Sequence, residues 1–233
     1  RMTNLLMQGM DTPMAYDLEN ADYILSFGSG LLEGWGAPGR VINAWGLWHE
    51  RTQKTKTRVV QIESRASNTA SKADQWVAPK PGTEAALALA LAHVIIKDHL
   101  YHADFVDGYS FGFDDWTSPD GKNHMGYKTM VLNSYSPDQV AKITGLNPKD
   151  IVTLAGDFAR AKTPIAICGK GKGSLNGSLY EFMAVHSLNA LIGNINMPGG
   201  VLVSSPPPLN SLPQMQKDAI ASKGLKKPRL DHA

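Results

Sequence analysis

Two short apolar segments of the chain run directly into glycines, a pattern that can bring backbone N–H groups against a phosphate. The first loop contains Gly28, Ser29 and Gly30, and the second contains Gly169 and Gly171. Glycine allows close approach of the backbone, and successive N–H groups form an anion-binding concavity. These loops are therefore candidate phosphate sites, and plain glycine turns without a ligand are the structural alternative.

An acidic residue, Glu63, ends the next predicted strand, where a carboxylate can accept hydrogen bonds from a ribose or a purine. The dinucleotide fingerprint G-x-G-x-x-G is not satisfied, because Gly28, Gly30 and Gly34 miss its last spacing by one residue. Glu63 also lies 33 residues after Gly30, whereas the fingerprint places its acid about 20 residues on. An ordinary NAD domain is disfavoured, and the sequence contains no P-loop.

Strands and helices alternate along the chain, and this order determines where those loops lie. Apolar runs bounded by turn residues predict strands, and longer periodic or Ala/Leu-rich segments predict helices. Thr83 is the predicted N-cap of a buried Ala/Leu helix. The strands are predicted at 22–27, 58–62, 164–168 and 201–203, and helices at 41–50 and 178–192. We therefore predict an α/β fold, a Rossmann-like open parallel sheet with helices on both faces.

The predicted domain covers residues 1–204. It includes an irregular loop insertion at about 108–135, where no periodic pattern is sustained. Ser136 and Asn147 each precede a proline, which predicts two short helices between this insertion and the strand at 164–168. Residues 205–233 are rich in Pro and Lys and are predicted to be a linker or tail.

The composition of the 233 residues excludes several classes of protein. Lys and Arg number 23 against 21 Asp and Glu, so no nucleic-acid surface is indicated. The single cysteine, Cys168, cannot form an internal disulfide or a multi-cysteine metal site. The longest apolar stretch, residues 85–96, is shorter than the roughly 20 residues of a membrane span, so no direct membrane insertion is expected. The chain begins at Arg1 and is expected to be a piece of a longer subunit.

Several other polar side chains are expected to have structural roles rather than catalytic or metal-binding ones. Cys168 closes a strand and is expected to be a small buried residue. His186 lies on a helix among apolar residues and is expected to be a packed histidine. His99, His102 and Asp104 do not have the spacing of a metal site.

Five segments, in order, resemble the central nucleotide-binding domain of the molybdopterin oxidoreductases of the dimethyl sulfoxide reductase and formate dehydrogenase type. The resemblance runs from about residue 17 to 203. The segments are DLENADYILSFGSG, TRVVQIESRASNTASKADQWVAPKPGTEAALALALAHVI, YSPDQVAKITGL, PIAICGKGKG and LNALIGNINMPGG. The resemblance implies a domain that binds the guanosine diphosphate part of a molybdopterin guanine dinucleotide with molybdenum or tungsten.

The same resemblance implies which residues contact the cofactor. By position in the family's motifs, these are Gly28, Ser29 and Gly30 in the first phosphate loop, Glu63 and Arg65 in the "DPR" motif, Gly82, Thr83 and Glu84 in the "GTD" motif whose acid binds guanine, Gly169 and Gly171 in the second loop, and Asn194, Gly199 and Gly200 in the last segment. The metal ligand and the iron–sulfur cysteines of such enzymes match nothing in this chain. The implied partners are the remaining domains of the subunit, an iron–sulfur electron-transfer subunit and a membrane anchor subunit.

The chain departs from the family at two acids. Glu63-Ser64 replaces Asp-Pro, and Glu84 replaces Asp, which moves each carboxylate by one methylene. Two alternatives to a catalytic-subunit domain therefore stay open: a cofactor-less, molybdopterin-like scaffold of a membrane-bound, quinone-linked respiratory complex, and a stand-alone guanine-nucleotide module. Many relatives are exported, which implies a periplasmic location, with the cytoplasm as the alternative.

Overall fold

The computed structural model describes residues 1–50, 56–169, 178–203 and 218–226. The described helices are α1 (Met2–Gln8), α2 (Pro38–Glu50), α3 (Asn68–Lys72), α4 (Glu84–Lys97), α5 (Ala103–Tyr109), α6 (Tyr127–Ser134), α7 (Pro137–Thr144), α8 (Pro148–Arg160), α9 (Ser178–Leu191) and α10 (Ala219–Leu225). The strands are β1 (Ala15–Tyr16), β2 (Tyr23–Phe27), β3 (Arg58–Ile62), β4 (Gln75–Val77), β5 (Trp116–Thr117), β6 (Asn123–His124), β7 (Pro164–Cys168) and β8 (Val201–Leu202).

The central sheet has four parallel strands in the order β4-β3-β2-β7. β2 and β7 are buried along their whole length, as expected for parallel strands covered on both faces. The last residues of the strands are in register, with Phe27 opposite Ile62 and Cys168. The chain moves outward from β2 to β3 and β4, then returns to the other side of β2 as β7. The point between β2 and β7 is therefore the topological switch point, where open sheets bind ligands.

Each face of the sheet packs against helices, so the predicted Rossmann-like α/β fold is confirmed. On one face, Leu25 and Phe27 of β2 join a core built with α4, α8 and α9. On the other face, Ile24 packs with Trp48 of α2, whose indole N–H donates to the Leu18 carbonyl at 3.1 Å. Alternate residues of a strand point to opposite faces, which explains the two separate cores.

The Ala/Leu helix is α4, and it is buried as predicted. It packs against α6, α7, α8 and α9, and Leu87, Leu91 and Ile95 are fully buried. Thr83 is the N-cap residue of α4, as predicted, but its side chain does not form the hydrogen bond expected of a cap. Its hydroxyl donates to the Lys80 carbonyl at 2.6 Å instead. The helices predicted after Ser136 and Asn147 are confirmed as α7 and α8.

The segment predicted as an irregular insertion, residues 108–135, contains regular structure. It holds the end of α5, the antiparallel β5–β6 hairpin and α6. The hairpin strands have two residues each, too short to produce an alternating pattern. α6 buries only Val131 completely, whose carbonyl lies 3.2 Å from His93 Nδ1 of α4. A helix with one buried position leaves almost no periodic signal.

The last predicted strand also differs. β8 covers Val201–Leu202 and pairs antiparallel with β1, so it lies outside the parallel sheet. Within the predicted linker or tail, Ala219–Leu225 form α10, and its N-cap Asp218 accepts from the Ala221 N–H. The predicted boundary at 204 and the rest of the tail lie outside the described residues. Among the helices that the structure describes, none has the length and apolar character of a membrane span.

Candidate functional site

Three of the predicted site residues follow the carboxyl ends of neighbouring strands in one row. The Gly28 N–H donates to the Ile62 carbonyl at 2.9 Å, and the Glu63 N–H donates to Val77 at 3.1 Å. The Gly169 N–H donates to the Phe27 carbonyl at 3.4 Å. These bonds extend the sheet register by one residue, so both glycine loops begin at the switch point.

The first glycine loop is fixed through the Ser29 carbonyl. Gly28 has φ of +62°, a left-handed conformation that glycine adopts without a Cβ clash. The Ser29 carbonyl accepts hydrogen bonds from Ser26 Oγ and Gln61 Nε2, both at 3.2 Å. Because a peptide unit is planar and trans, an inward Ser29 carbonyl turns the Gly30 N–H away from Gln61. The loop therefore has a set orientation in the folded protein.

Gln61 is a site residue that the motifs do not identify. It is fully buried in β3, and its Nε2 also donates to Glu63 Oε1 at 3.2 Å. It thus connects the glycine loop to the acidic residue. The one signal in the sequence is a polar side chain within an otherwise apolar strand after Arg58, and burying such a group requires hydrogen-bond partners.

Two buried oxygens beside this loop have no hydrogen-bond partner in the part of the chain that the structure describes: Ser29 Oγ and Gln61 Oε1. A buried polar atom without a partner costs roughly 1–3 kcal/mol. Such atoms are retained where a ligand or an ordered water completes the bonding. A glycine loop with an unpartnered hydroxyl fits a polar, phosphate-bearing group.

Glu63 is 7% exposed and already has partners within the protein. Its Oε1 accepts from Gln61 and from the Ser67 hydroxyl, while Arg65 Nε lies 3.7 Å from Oε2. Ser67 caps α3 by accepting from the Ala70 N–H, so the acid is tied to the start of that helix. The carboxylate is held rigidly at the edge predicted for ribose binding.

The "GTD" residues lie on the loop from β4 to α4, which leaves the same edge of the sheet. Gly82 has φ of +77°, and the Thr83 hydroxyl closes the turn on Lys80. Glu84 is the first residue of α4 and is 6% exposed. A carboxylate in the first turn of a helix is stabilised by the helix dipole.

Trp35 connects the two glycine loops. Its backbone N–H donates to the Gly30 carbonyl at 3.2 Å, and its indole Nε1 lies against Gly169. A Cβ at position 169 would overlap that nitrogen, so only glycine fits there. Gly171, the other predicted residue of the second loop, lies outside the described residues.

Asn194, Gly199 and Gly200 are not brought to this site. Asn194 Nδ2 donates to the carbonyl of Pro164, the first residue of β7. The Gly199 N–H donates to Asp17 Oδ2 at 2.9 Å, and Gly200 packs against Asn194. These contacts lie at the amino edge of the sheet, about 16 Å from the glycine loops at roughly 3.3 Å per strand residue. Here the three residues close the turn between α9 and β8, because that turn returns to the start of β7.

The remaining candidates have the structural roles expected of them. His186 is buried, its Nε2 lies 3.0 Å from Gln8 Nε2, and burial lowers its pKa to about 4. Cys168 is buried, with its thiol 3.8 Å from Glu181 Oε1. His102 Nδ1 accepts from the Phe105 N–H and caps α5. In the described parts of the chain, no group of three His, Cys, Asp or Glu residues is arranged to hold a metal ion.

Two of the cavities formed by the described residues lie away from this site. One of about 490 Å³ borders the β5–β6 hairpin, between Trp116 and Thr129. The other, about 460 Å³, lies between α1, α5, α6 and α9 and is lined mainly by apolar and aromatic side chains, among them Phe105 and Tyr127. Neither includes a residue of the glycine loops.

The parallel sheet, with Gly28 and Gly169 following β2 and β7 at its switch point, defines an open α/β domain. The family model for molybdopterin oxidoreductases matches residues 4–221, and the chain belongs to that family.

Three relatives illustrate the family. The chain is 30% identical to the arsenate respiratory reductase molybdopterin-containing subunit ArrA of Shewanella sp. strain ANA-3, over 93% of the chain and 26% of the relative. It is 32% identical to the menaquinone reductase molybdopterin-binding-like subunit of Nitratidesulfovibrio vulgaris, over 84% of this chain and 26% of that subunit. It is also 32% identical to dimethyl sulfoxide reductase DmsA of Escherichia coli K12, over 79% of this chain and 23% of DmsA. The chain thus spans about a quarter of the length of these relatives.

A solved structure has the same fold. Acetylene hydratase from Pelobacter acetylenicus matches with a TM-score of 0.67 and 22% identity, over 88% of this chain and 25% of that one. At this identity the match concerns the fold alone.

Proposed function

We propose that this chain is the part of a molybdopterin oxidoreductase subunit that holds the guanosine diphosphate end of a molybdopterin guanine dinucleotide. The observation that carries the proposal is the loop at the switch point, where the fully buried Ser29 hydroxyl has no hydrogen-bond partner among the described residues. A member of this family with an incomplete polar site at that position is suited to a phosphate-bearing ligand.

Each residue would act on one part of the ligand. The backbone N–H groups of Ser29 and Gly30 and the Arg65 guanidinium suit the diphosphate, since both kinds of group donate to phosphate oxygens. Glu63 suits a ribose hydroxyl, and Glu84 suits the N1 and N2 donors of guanine. When bound, the cofactor would supply the redox chemistry of molybdenum or tungsten at its metal. The residues of this chain would orient it.

The test is the metal and pterin content of the full-length protein, purified from a host that makes the cofactor. We expect stoichiometric metal and pterin in the wild type and a several-fold loss in Ser29→Ala. Ser134→Ala, an exposed serine at the end of α6, is the matched control and should retain both. Equal contents in wild type and Ser29→Ala would contradict the assignment of this loop.

A second candidate function is a cofactor-less scaffold subunit in a quinone-linked respiratory complex. It is supported by the relative named as a molybdopterin-binding-like subunit of a menaquinone reductase. The internal bonds of Glu63 to Ser67 and Arg65 also favour it, because they already occupy the carboxylate. Full-length protein with neither metal nor pterin, made in a competent host, would support this function over the first.

We propose the same partners for either function: the remaining domains of the subunit, an iron–sulfur electron-transfer subunit and a membrane anchor subunit. Purification of the native complex followed by mass spectrometry tests this. We also propose a periplasmic location, with the cytoplasm as the alternative, and cell fractionation distinguishes them.

A further inference from the structure

A carboxylate that no motif identifies, that of Glu33, lies directly beside the first glycine loop. A Cβ atom at position 30 would be only 2.9 Å from Glu33 Oε2. We infer that Glu33 is an internal anion at this loop, which holds Arg65 until a ligand carrying a diphosphate replaces it. This inference rests on the proposed function, because it concerns the same loop and the same guanidinium.

Both oxygens of Glu33 are held by hydrogen bonds. Oε2 accepts from Arg65 Nη2 at 3.2 Å, and Oε1 accepts from the Asn68 N–H at 3.1 Å. The backbone N–H of Glu33 donates to the Gly30 carbonyl at 2.8 Å, which fixes the residue to the loop itself. The carboxylate thus takes the kinds of donor, a guanidinium and a backbone N–H, that a phosphate oxygen would take.

Because Arg65 is already paired with carboxylates, a phosphate can bind to it only by replacing Glu33. Arg65 also lies 3.7 Å from Glu63 Oε2, so one guanidinium serves two carboxylates and the three side chains carry a net charge of minus one. An incoming diphosphate meets repulsion from Glu33 and finds Arg65 engaged. A highly charged, phosphate-bearing ligand can therefore displace Glu33 from Arg65, whereas a neutral nucleoside cannot.

The exchange is feasible because the internal pair is weak. The Arg65 side chain is 72% exposed, and exposed ion pairs contribute little to stability. An arginine–phosphate contact can be bidentate and is stronger. The unpartnered Ser29 hydroxyl in the same loop is a separate sign that a ligand completes this site.

The experiment measures the affinity of guanosine diphosphate for full-length protein made in a host that lacks the pterin cofactor. By titration calorimetry at low salt, Glu33→Gln should bind guanosine diphosphate about fivefold more tightly than wild type, because a nearby negative charge is removed. Arg65→Gln should bind it more weakly by a similar factor. Glu19→Gln, which breaks the comparable exposed pair with Arg40 in another part of the fold, should change nothing.

The opposite signs separate this role from a structural one, because local unfolding would weaken binding in both variants. The gain from Glu33→Gln should shrink at high salt, and it should be smaller in the Arg65→Gln background, where only the repulsion between Glu33 and the ligand is left to remove. Equal or weaker binding by Glu33→Gln would overturn the inference, as would the absence of binding in wild type and Glu33→Gln alike. The proposed function is tested separately, by the pterin and metal content of protein from a host that makes the cofactor.

Discussion

Replacing Gln61 by leucine separates the stability of the sheet from the order of the glycine loop. Gln61→Leu keeps a side chain of similar size in β3 but removes two donated hydrogen bonds, one to the Ser29 carbonyl and one to Glu63 Oε1. The Ser29 carbonyl keeps its bond from Ser26 Oγ, whereas Glu63 keeps only Ser67 at that oxygen. The loop and the acid would then no longer be connected through one side chain.

The contributions to the free energy of unfolding largely offset each other. The bond to the neutral carbonyl contributes about 1 kcal/mol and the bond to the carboxylate about 1.5–3 kcal/mol. Against this, leucine removes the unpartnered Gln61 Oε1, whose burial costs roughly 1–3 kcal/mol. From the middles of these ranges we expect a net loss of about 1 kcal/mol. Removing the unpartnered oxygen offsets the loss of folding stability, but it does not restore the hydrogen bond that orders the loop. If that bond contributes about 1 kcal/mol to ligand binding, its loss should weaken the affinity about fivefold.

The assay compares pterin retention after dialysis with the stability of the full-length protein in urea. Gln75→Leu, the same substitution at the amino end of the neighbouring strand β4, is the control and should retain pterin fully. If Gln61→Leu retains pterin as wild type does, while Ser29→Ala loses it, Gln61 does not position the loop. If Gln61→Leu loses several kcal/mol of stability, its role is structural support of the sheet.

Two further predictions concern the buried histidine and the second loop. Because burial lowers the pKa of His186 to about 4, from about 6.5 in the unfolded chain, the unfolded state binds the extra proton first. The free energy of unfolding is therefore highest above pH 6.5 and decreases as pH falls toward 4. At 1.36 kcal/mol per unit of pKa difference, the total decrease is about 3 kcal/mol. Hydrogen exchange of α9 amides at pH 7 and pH 5 should show this loss in wild type and not in His186→Gln; equal pH dependence in both would refute it. Gly169→Ala should displace the Trp35 indole, because the added Cβ overlaps Nε1, and the Trp35→Phe background should relieve part of the resulting loss of pterin. An unchanged pterin content in Gly169→Ala would contradict the close packing of the two loops.

The strands and the buried helix were accessible from the sequence because their signals are local. The segment 164–168 is apolar, starts at Pro164 and stops at Gly169, and β7 has those bounds. The composition of residues 85–96 predicts a helix covered on all sides, as α4 is. The glycine loops and Glu63 could be aligned at one edge because parallel strands share their carboxyl ends.

The features that the sequence did not provide depend on contacts between distant segments. Gln61 acquires its role only when β3 pairs with β2 and brings it to Ser29, which is 32 positions away. Glu33 has no distinctive spacing relative to Arg65, and only the folded loop joins them. Asn194 goes to the amino edge because α9 runs back across the sheet, a direction that no motif specifies.

The pairing of β1 with β8 has a consequence for how this domain is built into a longer polypeptide. Ala15 lies opposite Leu202, and the Asp17 N–H donates to the Gly200 carbonyl at 3.0 Å. The segments that lead into and out of the sheet are thus paired with each other, and Tyr16 of β1 also contacts Trp35 beside the glycine loops, with ring centroids 5.6 Å apart. Units whose entry and exit points are adjacent tolerate insertion into larger chains. Because Tyr16 of β1 contacts Trp35, a displacement of the flanking regions would reach the glycine loops through this pair of rings.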